Sequence, residues 1–336
     1  MKAAPHLKND STTYGQSFKV LRDYSHRRWE AGDVSFQMIL PYLDKFVELN
    51  PGSTARCDTE ELYTKRLFVC PSIIKTSLRH MRPIMSLDAA HLKSKWKGTL
   101  YTASVKTGSD NIYPVAMAIM NGNENEAGWT WFLELLHDLL EILVMDHPKP
   151  GIRYKYFTFI SDRQKGLIEA LKNVFPNNHT CFCAIHIARN AEQKCGKRVA
   201  RFVHKLSTTF SHVVSSDLIE RVNKASQKGR QYLEEIQANQ WRSTSWRDDD
   251  GLPPRYGIVT SNISEATNNM FREAREGSWL YALDYMLGKV TERISTLRKE
   301  VSEKDGVVER LVDKLQQGWN TCAGFKVLEL ERAGWE

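Results

Sequence analysis

The sequence has no long apolar run. No apolar segment approaches the roughly 18 residues of a membrane-spanning helix, and residues 1–6 lack the apolar stretch that opens a secretory signal peptide. The six cysteines are scattered along the chain, too sparsely for a disulfide framework. Internal repeats and low-complexity tracts are also missing. We therefore predict an intracellular protein with reduced cysteines and no membrane partner.

Charge and length point to a larger, slightly basic globular protein. The chain has 336 residues, of which 41% are hydrophobic, and this is enough for two or three domains with a core. The net charge of +7 permits a nucleic-acid partner without requiring one. Between Arg189 and Lys205, six basic residues stand against one acidic residue, Glu192. This stretch is either a DNA-binding surface or simply a solvated helix face.

The order of predicted elements indicates the fold. Residues 17–80 read as mostly helical, with a stop at Asn50-Pro51-Gly52-Ser53. Strand patterns then follow at 84–88, 98–105 and 112–119, with connections short enough for an antiparallel meander. After these come, in order, a helix from Trp129, a strand at 156–160, a helix at 166–175, a strand at 180–185 and a basic helix.

This β-β-β-α-β-α-β-α order predicts an α/β protein with a mixed sheet covered by helices. It is the order of the ribonuclease-H-like fold. A polar, all-helical stretch follows and reads as an insertion, and a long charged helix covers roughly 278–318. We divide the chain into a disordered tail (1–16), a helical N-terminal region (17–80), the first part of the core (81–186), a helical insertion (187–255) and C-terminal helices that complete the core (256–336).

Three acidic residues are the leading candidates for chemistry. Asp88 and Asp162 stand at or near the ends of apolar strands, where an unpaired carboxylate is costly to bury. Glu265 lies in the first turn of a predicted helix. The first and fourth strands of this order are neighbours in the sheet, so Asp88 and Asp162 are predicted to converge. Carboxylates brought together from separate elements are what a two-metal phosphoryl-transfer site requires.

Each acid also has a purely structural interpretation. Asp162 precedes Lys165-Gly166-Leu167 and could cap the next helix. Asn262 and Glu265 have the spacing of a capping box. The same helix places Glu265, Asn269 and Arg272 on one polar face. The run Asp248-Asp249-Asp250 is a rival source of the third carboxylate.

A compact group of sulfur and imidazole side chains follows the fifth strand. Its members are His179, Cys181, Cys183 and His186. Structural zinc is unlikely here, because the spacing is tighter than in an ordinary finger and no second ligand pair follows. Cys183 and His186 could instead face the catalytic sheet, or they could be a buried thiol and a hydrogen-bonded imidazole.

Taken together, these motifs resemble the Mutator-like element (MULE) transposases over about residues 35–300. One of these motifs is Ser161-Asp162-Arg163-Gln164-Lys165-Gly166, and it is their combination that is specific. The matching segments are residues 50–53, 82–93, 98–100, 113–116, 125–132, 161–166, 183–190 and 260–268. In this sequence Ala89-Ala90 follow Asp88, where the family usually has Gly and then Thr or Cys.

The resemblance implies a DDE transposase with a ribonuclease-H-like catalytic domain. Its triad would be Asp88, Asp162 and Glu265, holding two Mg²⁺ or Mn²⁺ ions, with Cys183 and His186 beside the active site. DNA, both transposon ends and target, would be the partner of a homo-oligomer in the nucleus. The candidate DNA contacts are Lys93, Lys95, Lys97, Arg189, Lys194, Lys197, Arg198, Arg201 and Arg272.

Two departures leave alternatives open. The zinc module and the Cys/His-rich SWIM-type finger that larger relatives often carry are not found in this sequence, so a separate protein could supply recognition of the element ends. The alternative to an active transposase is a domesticated, non-catalytic DNA-binding or regulatory protein with the same fold. A host nuclease of that fold, which hydrolyses DNA without joining it, is a third possibility.

Overall fold

The structure is a computed structural model that describes residues 34–60, 63–78, 81–145, 157–245, 255 and 257–302. Its strands are β1 Thr54–Glu60, β2 Tyr63–Cys70, β3 Ile84–His91, β4 Thr99–Lys106, β5 Ile112–Met120, β6 Thr158–Ser161 and β7 Thr180–Phe182. They form one seven-stranded sheet in the order β1-β2-β5-β4-β3-β6-β7. The described part of the chain is therefore an α/β protein built on a single mixed sheet.

The pairing directions place several strand ends at one edge. Strands β3, β4 and β5 form the predicted antiparallel meander, and β6 and β7 are added to β3 in parallel. Since β4 reverses the direction once and β5 reverses it again, β5 runs the same way as β3. The carboxyl ends of β3, β5, β6 and β7 consequently share one edge of the sheet, which is where α/β proteins usually place their sites.

Helices pack against the sheet and also make up the insertion. They are α1 Val34–Gln37, α2 Ile39–Leu49, α3 Ser72–Leu78, α4 Glu126–Met145, α5 Lys165–Val174, α6 Ala184–Cys195, α7 Lys197–Thr208, α8 His212–Ala225, α9 Gln227–Glu234, α10 Asn262–Met270 and α11 Trp279–Ser302. No helix in the described part of the chain is long and apolar enough to cross a membrane. The central strands are buried on both faces, as their near-continuous apolar sequences predict.

The largest core lies between the sheet, α4 and α11. Trp129, Phe132 and Leu136 of α4 are fully buried in it, and the T-shaped contact of Trp129 with Tyr101 of β4 has a centroid distance of 4.8 Å. The apolar stripe predicted from Trp129 onward therefore packs as core. Burial of aromatic side chains of this size contributes about 2–3 kcal/mol each, and anchors α4 beside the sheet edge.

The N-terminal region corrects one prediction. We expected residues 17–80 to be mostly helical, but Thr54–Glu60 and Tyr63–Cys70 form an antiparallel hairpin, which joins the sheet through β2 and β5. The residues of β1 are mostly polar, because this strand is only partly buried. No apolar pattern in the sequence therefore indicated a strand here. The stop after α2 is confirmed, with Gly52 at a φ of 85° that favours glycine.

The insertion has a small core of its own. From Ala184 to Ser245 the described chain contains only helices and turns, and side chains such as Ile187, Val203 and Trp241 are buried together there. The predicted long C-terminal helix begins at Trp279 and is described to Ser302. The tail 1–16 and the remainder of the predicted 278–318 helix lie outside the described residues.

Candidate active site

Three side chains occupy one row across the sheet edge. The parallel register pairs Ser86 with Ile160, so two residues further along β3 and β6 Asp88 stands opposite Asp162. In the same way Ser161 pairs with Phe182, so Asp162 stands opposite Cys183. Paired residues of parallel strands point to the same face. Sheet register thus brings Asp88, Asp162 and Cys183 together.

Helix α10 closes this row from one face. The amide of Ser261 donates to Cys183 Sγ over 3.2 Å, the hydroxyls of Ser264 and Ser86 are 2.5 Å apart, and Asn268 Nδ2 donates to Asp88 Oδ2 over 2.5 Å. One turn of helix separates Ser264 from Asn268, which matches the two-residue step from Ser86 to Asp88 along the strand. The polar stripe of α10 therefore packs against the edge of the sheet that carries Asp88 and Cys183.

Asp88 lies within β3, which continues to His91, rather than at the strand end we expected. Burial raises the pKa of its carboxyl from 3.8 to about 6. The hydrogen bond from Asn268 opposes this rise, the charge of Asp162 adds to it, and His186 and Glu124 contribute smaller opposing and reinforcing effects. A buried carboxylate beside a second, like-charged carboxylate carries an electrostatic cost that a bound cation would relieve.

Asp162 follows β6 directly. Its Oδ1 accepts from the amide of Gln164 over 3.1 Å, while Gln164 itself caps α5 by accepting from the amide of Leu167. Asp162 therefore shapes the turn before the helix without being its N-cap. Its other oxygen forms no hydrogen bond with the described residues, and no described Lys or Arg makes an ion pair with it.

Glu124 is a further carboxylate near the site, in the turn between β5 and α4. Its Oε1 accepts from the indole Nε1 of buried Trp129 over 2.8 Å. Burial raises the pKa of Glu124, the Trp129 hydrogen bond lowers it, and the charge of Asp162 raises it further. Glu124 follows the end of β5 at the same edge of the sheet, and its charge interacts with those of Asp88 and Asp162.

Glu265 stands at the rim of the site. Its side chain is 47% exposed and lies 3.6 Å from a guanidinium nitrogen of Arg189 on α6. Asn268, three residues later on the same helix, touches Asp88. The structure therefore brings Glu265 near the aspartates but pairs it with Arg189 instead of joining it to them.

The capping-box interpretation of Glu265 is wrong. The N-cap of α10 is Ser261, so Asn262 is already helical and Glu265 is one residue too late for the reciprocal bond. The N-cap makes no side-chain hydrogen bond. The rival run Asp248-Asp249-Asp250 lies outside the described residues.

Cys183 and His186 interact at the start of α6. Burial raises the pKa of Cys183, but hydrogen bonds involving His186 and Ser261 outweigh it and lower the pKa to about 7. The interaction with Cys183 raises the pKa of His186 despite partial burial. The neighbouring Cys181 is buried, and burial raises its pKa to about 12. Within the His/Cys group, the buried Cys181 therefore lies in different surroundings from the interacting pair Cys183 and His186.

The basic candidates lie on exposed surface but in different places. Lys93, Lys95 and Lys97 belong to the β3–β4 loop, where Lys95 Nζ lies 4.2 Å from the Trp96 ring centre. The carbonyl of Trp96 accepts from the indole of Trp279, and the Trp96 ring packs against the main core. The remaining exposed candidates are Arg189, Lys194, Lys197, Arg198, Arg201 and Arg272.

The fit of a divalent cation depends on the donor set. Asp88 and Asp162 supply the hard oxygen ligands that Mg²⁺ and Mn²⁺ prefer, and neither forms an ion pair within the described chain. Over the described residues, however, no group of three or more His, Cys, Asp and Glu side chains is placed to hold a metal ion. The two aspartates therefore have the chemistry that such an ion prefers, but they do not form a three-ligand site with another described His, Cys, Asp or Glu side chain.

The comparison with protein families gives one match. The family model of the MULE transposase domain matches residues 84–190. This segment carries the row of Asp88, Asp162 and Cys183, together with β3 to α6. The chain contains a MULE transposase domain. A search of curated proteins found no match.

The MULE transposase domain includes Glu124 but not Asn268, and sequence reasoning singled out neither residue. Glu124 could have been found from strand direction, because the third strand of an antiparallel meander ends at the same edge as the first. Asn268 had a weaker signal, its four-residue spacing from Ser264 on α10. Only the packing of that helix shows which of its polar residues touches Asp88.

Proposed function

We propose that this chain is a DNA transposase of the Mutator-like type, with a ribonuclease-H-like catalytic core. The observation that supports this most is the parallel pairing of β3 with β6, in which Ser86 pairs with Ile160, two residues before Asp88 and Asp162. The transposase domain over residues 84–190 supports DNA as the substrate. The reaction we infer is cleavage at an element end, followed by attack of the resulting 3′-OH on target DNA.

In this proposal Asp88 and Asp162 hold Mg²⁺ or Mn²⁺, and Glu265 completes the ligand set. Such ions, when bound, activate the attacking oxygen and stabilise the leaving oxygen of an in-line displacement. Asn268 fixes the orientation of the Asp88 carboxylate through its 2.5 Å hydrogen bond. The hydrogen bond with Cys183 raises the pKa of His186, and the charge of Asp162 raises it further.

The ion pair between Glu265 and Arg189 has a part in this proposal. Their separation is 3.6 Å and both side chains are largely exposed, so the pair is held weakly. Arg189 is also one of the candidate phosphate contacts. A DNA phosphate that attracts Arg189 would release Glu265 to turn toward the aspartates. Substrate binding would then complete the carboxylate set.

Further parts of the proposal concern assembly and location. Two element ends must be brought together for transposition, so we propose a homo-oligomer acting on nuclear DNA, with element ends recognised by this chain or by a separate protein. The basic surfaces neutralise phosphates, and binding should therefore weaken steeply with salt.

A strand-joining assay tests the function. Purified protein, Mn²⁺ and labelled DNA carrying the flanking ends of the gene should give joined product. Asp162→Asn should abolish this product, because one carboxylate is lost from the reaction. Its DNA affinity should stay within about twofold of that of the unsubstituted protein, because no phosphate contact is removed. Asp217→Asn is the matched control, because Asp217 is exposed and paired with Arg221 on α8. It should join DNA as the unsubstituted protein does.

The other outcomes separate the alternatives. Joined product that persists in Asp162→Asn would show that the site is wrongly assigned. Cleavage without joining would identify a nuclease. DNA binding with neither reaction, under conditions where the ends are correct, would identify the non-catalytic regulatory protein.

A further inference from the structure

The ring of Tyr232, in the helical insertion, contacts the turn that follows β6 and carries Asp162. Tyr232 of α9 is 4% exposed, and its hydroxyl accepts from Arg163 Nη1 over 3.4 Å. Arg163 is the residue directly after Asp162. The guanidinium carbon lies 5.8 Å from the Tyr232 ring centre and 5.8 Å from that of Phe182, the last residue of β7. The guanidinium of Arg163 therefore lies near one ring of the sheet, Phe182, and one ring of the insertion, Tyr232.

A second cation shares the same ring. Lys194 of α6 has its Nζ 4.9 Å from the Tyr232 ring centre. Two cations held at one aromatic side chain repel each other, and the ring quadrupole offsets only part of that repulsion. Within the described chain neither Arg163 nor Lys194 forms an ion pair. Their positive charges are consequently not neutralised by any acidic side chain of the described residues.

Nearby basic residues show the contrast. Arg230, two residues before Tyr232 on the same helix, donates to Glu234 over 2.8 Å. Arg221 and Lys224 on α8 are paired in the same way with acidic residues one turn away. Arg163 and Lys194 thus have no acidic partner among the described residues, at a place that adjoins Asp162, whereas Arg221, Lys224 and Arg230 each have one.

We propose that Arg163 and Lys194, arranged around Tyr232, form a binding site for a phosphate of the DNA strand that enters the catalytic edge. This inference rests on the proposed function and names a contact for its substrate. An arginine positioned near two aromatic rings still has N–H donors for a phosphate oxygen besides the one that contacts Tyr232, and the adjoining lysine adds a point charge. The insertion then positions DNA at Asp162 through Tyr232.

DNA binding measured as a function of salt tests this site. The protein is titrated with labelled end DNA in Ca²⁺ at several salt concentrations, and the slope of log affinity against log salt is compared between variants. Arg163→Gln and Lys194→Gln should each lower the magnitude of the slope by about 0.9 and weaken binding about five- to tenfold at low salt. The double variant should lower the slope by about twice as much.

Two further variants separate phosphate binding from a structural role. Arg163→Lys keeps the charge and should restore most of the slope, whereas a residue needed only for packing against Tyr232 would not be rescued. Arg230→Gln is the matched control, because it removes a neighbouring cation that Glu234 already neutralises, and its slope should be unchanged. If Arg163→Gln does not fold, the exposed Lys194→Gln carries the test alone.

The result also distinguishes this inference from the proposed function. If the unsubstituted protein joins DNA but Arg163→Gln and Lys194→Gln keep its full salt slope, the phosphate site is wrong and the transposase function stands. If the unsubstituted protein does not bind the end DNA at any salt concentration, both are overturned. If Arg230→Gln lowers the salt slope as much as Arg163→Gln and Lys194→Gln do, the effect comes from general surface charge and the proposed phosphate site is wrong.

Discussion

At the scale of single residues, Asp88 is the side chain whose surroundings are least suited to stability. It is ionised at neutral pH although burial has raised its pKa to about 6, and its nearest charged neighbours include the like-charged Asp162. A protein selected only for stability would place an uncharged residue here. Retaining an aspartate at this position is understandable if a cation offsets its charge, and the stability cost is then the cost of function.

Replacing Asp88 should therefore stabilise the protein without metal. The folded pKa is raised above the unfolded value, so the contribution of Asp88 to stability is fully present below about pH 4 and is lost as the pH rises through about 6. Asp88→Asn keeps the hydrogen-bonding contact with Asn268 and removes the charge. We expect its free energy of unfolding to exceed that of the unsubstituted protein by about 1–3 kcal/mol at pH 8.

Urea unfolding of both proteins in a chelator, at pH 4 and at pH 8, measures this difference. The gain should be much smaller at pH 4, where the carboxyl of Asp88 is protonated in the folded state and partly protonated in the unfolded state. Asp217→Asn, on the exposed face of α8, should show no gain at either pH. An Asp88→Asn protein that is less stable at pH 8 would mean that the carboxylate is well paired.

At the scale of elements, the closeness of α4 and α5 determines where Asp162 lies. A Cβ added to Gly166, at the start of α5, would be 2.7 Å from the backbone nitrogen of Glu126 at the start of α4. Backbone atoms cannot move aside as a flexible side chain can, so this glycine allows the two helix ends to approach. The turn that carries Asp162 precedes α5 and the turn that carries Glu124 precedes α4.

Gly166→Ala should accordingly disturb both stability and the site. The added methyl group costs about 1–3 kcal/mol by overpacking, and the higher helix propensity of alanine returns at most about 1 kcal/mol, so a net loss of about 1–2 kcal/mol is expected. Thermal unfolding measures the loss, and the strand-joining assay should show a reduced rate. Gly108→Ala is the control, because no atom lies within 4 Å of its added Cβ, and an equal loss in that variant would contradict the packing argument.

At the scale of the whole molecule, the site is assembled from distant parts of the chain. The Asn268–Asp88 contact spans 180 residues in sequence, and Ser261 reaches Cys183 across the whole helical insertion. A cation held at the carboxyl edge would therefore bind only the folded protein, and it should stabilise the whole molecule by mass action.

Metal binding is thus predicted to be visible in the melting temperature. Saturating Mn²⁺, at about 100 times its dissociation constant, should add about 2.7 kcal/mol to the free energy of unfolding. The melting temperature should rise by a few degrees in the unsubstituted protein and in Asp217→Asn, and the chelator should reverse the rise. In Asp162→Asn the rise should be absent, and an equal rise there would place the metal elsewhere.

The sequence by itself determined the elements and the main candidates. Apolar runs and turn signals predicted the meander, the strand before Asp162, the helix from Trp129 and the all-helical insertion, because each of these is encoded by periodicity over neighbouring residues. The β1–β2 hairpin was missed, since its strands are only partly apolar and are stabilised by pairing with β5. Local sequence cannot report a pairing partner that lies some 50 residues away.

The tertiary structure alone decided which side chains meet. The strand order had already predicted that Asp88 and Asp162 converge, but only sheet register added Cys183, and the packing of α10 selected Asn268 for Asp88 while leaving Glu265 with Arg189. Strand direction brought Glu124 to the same edge, and the insertion brought Tyr232 to Arg163. These contacts depend on how whole elements pack, and the energy that fixes them is spread over the core, so no local pattern of residues could have predicted them.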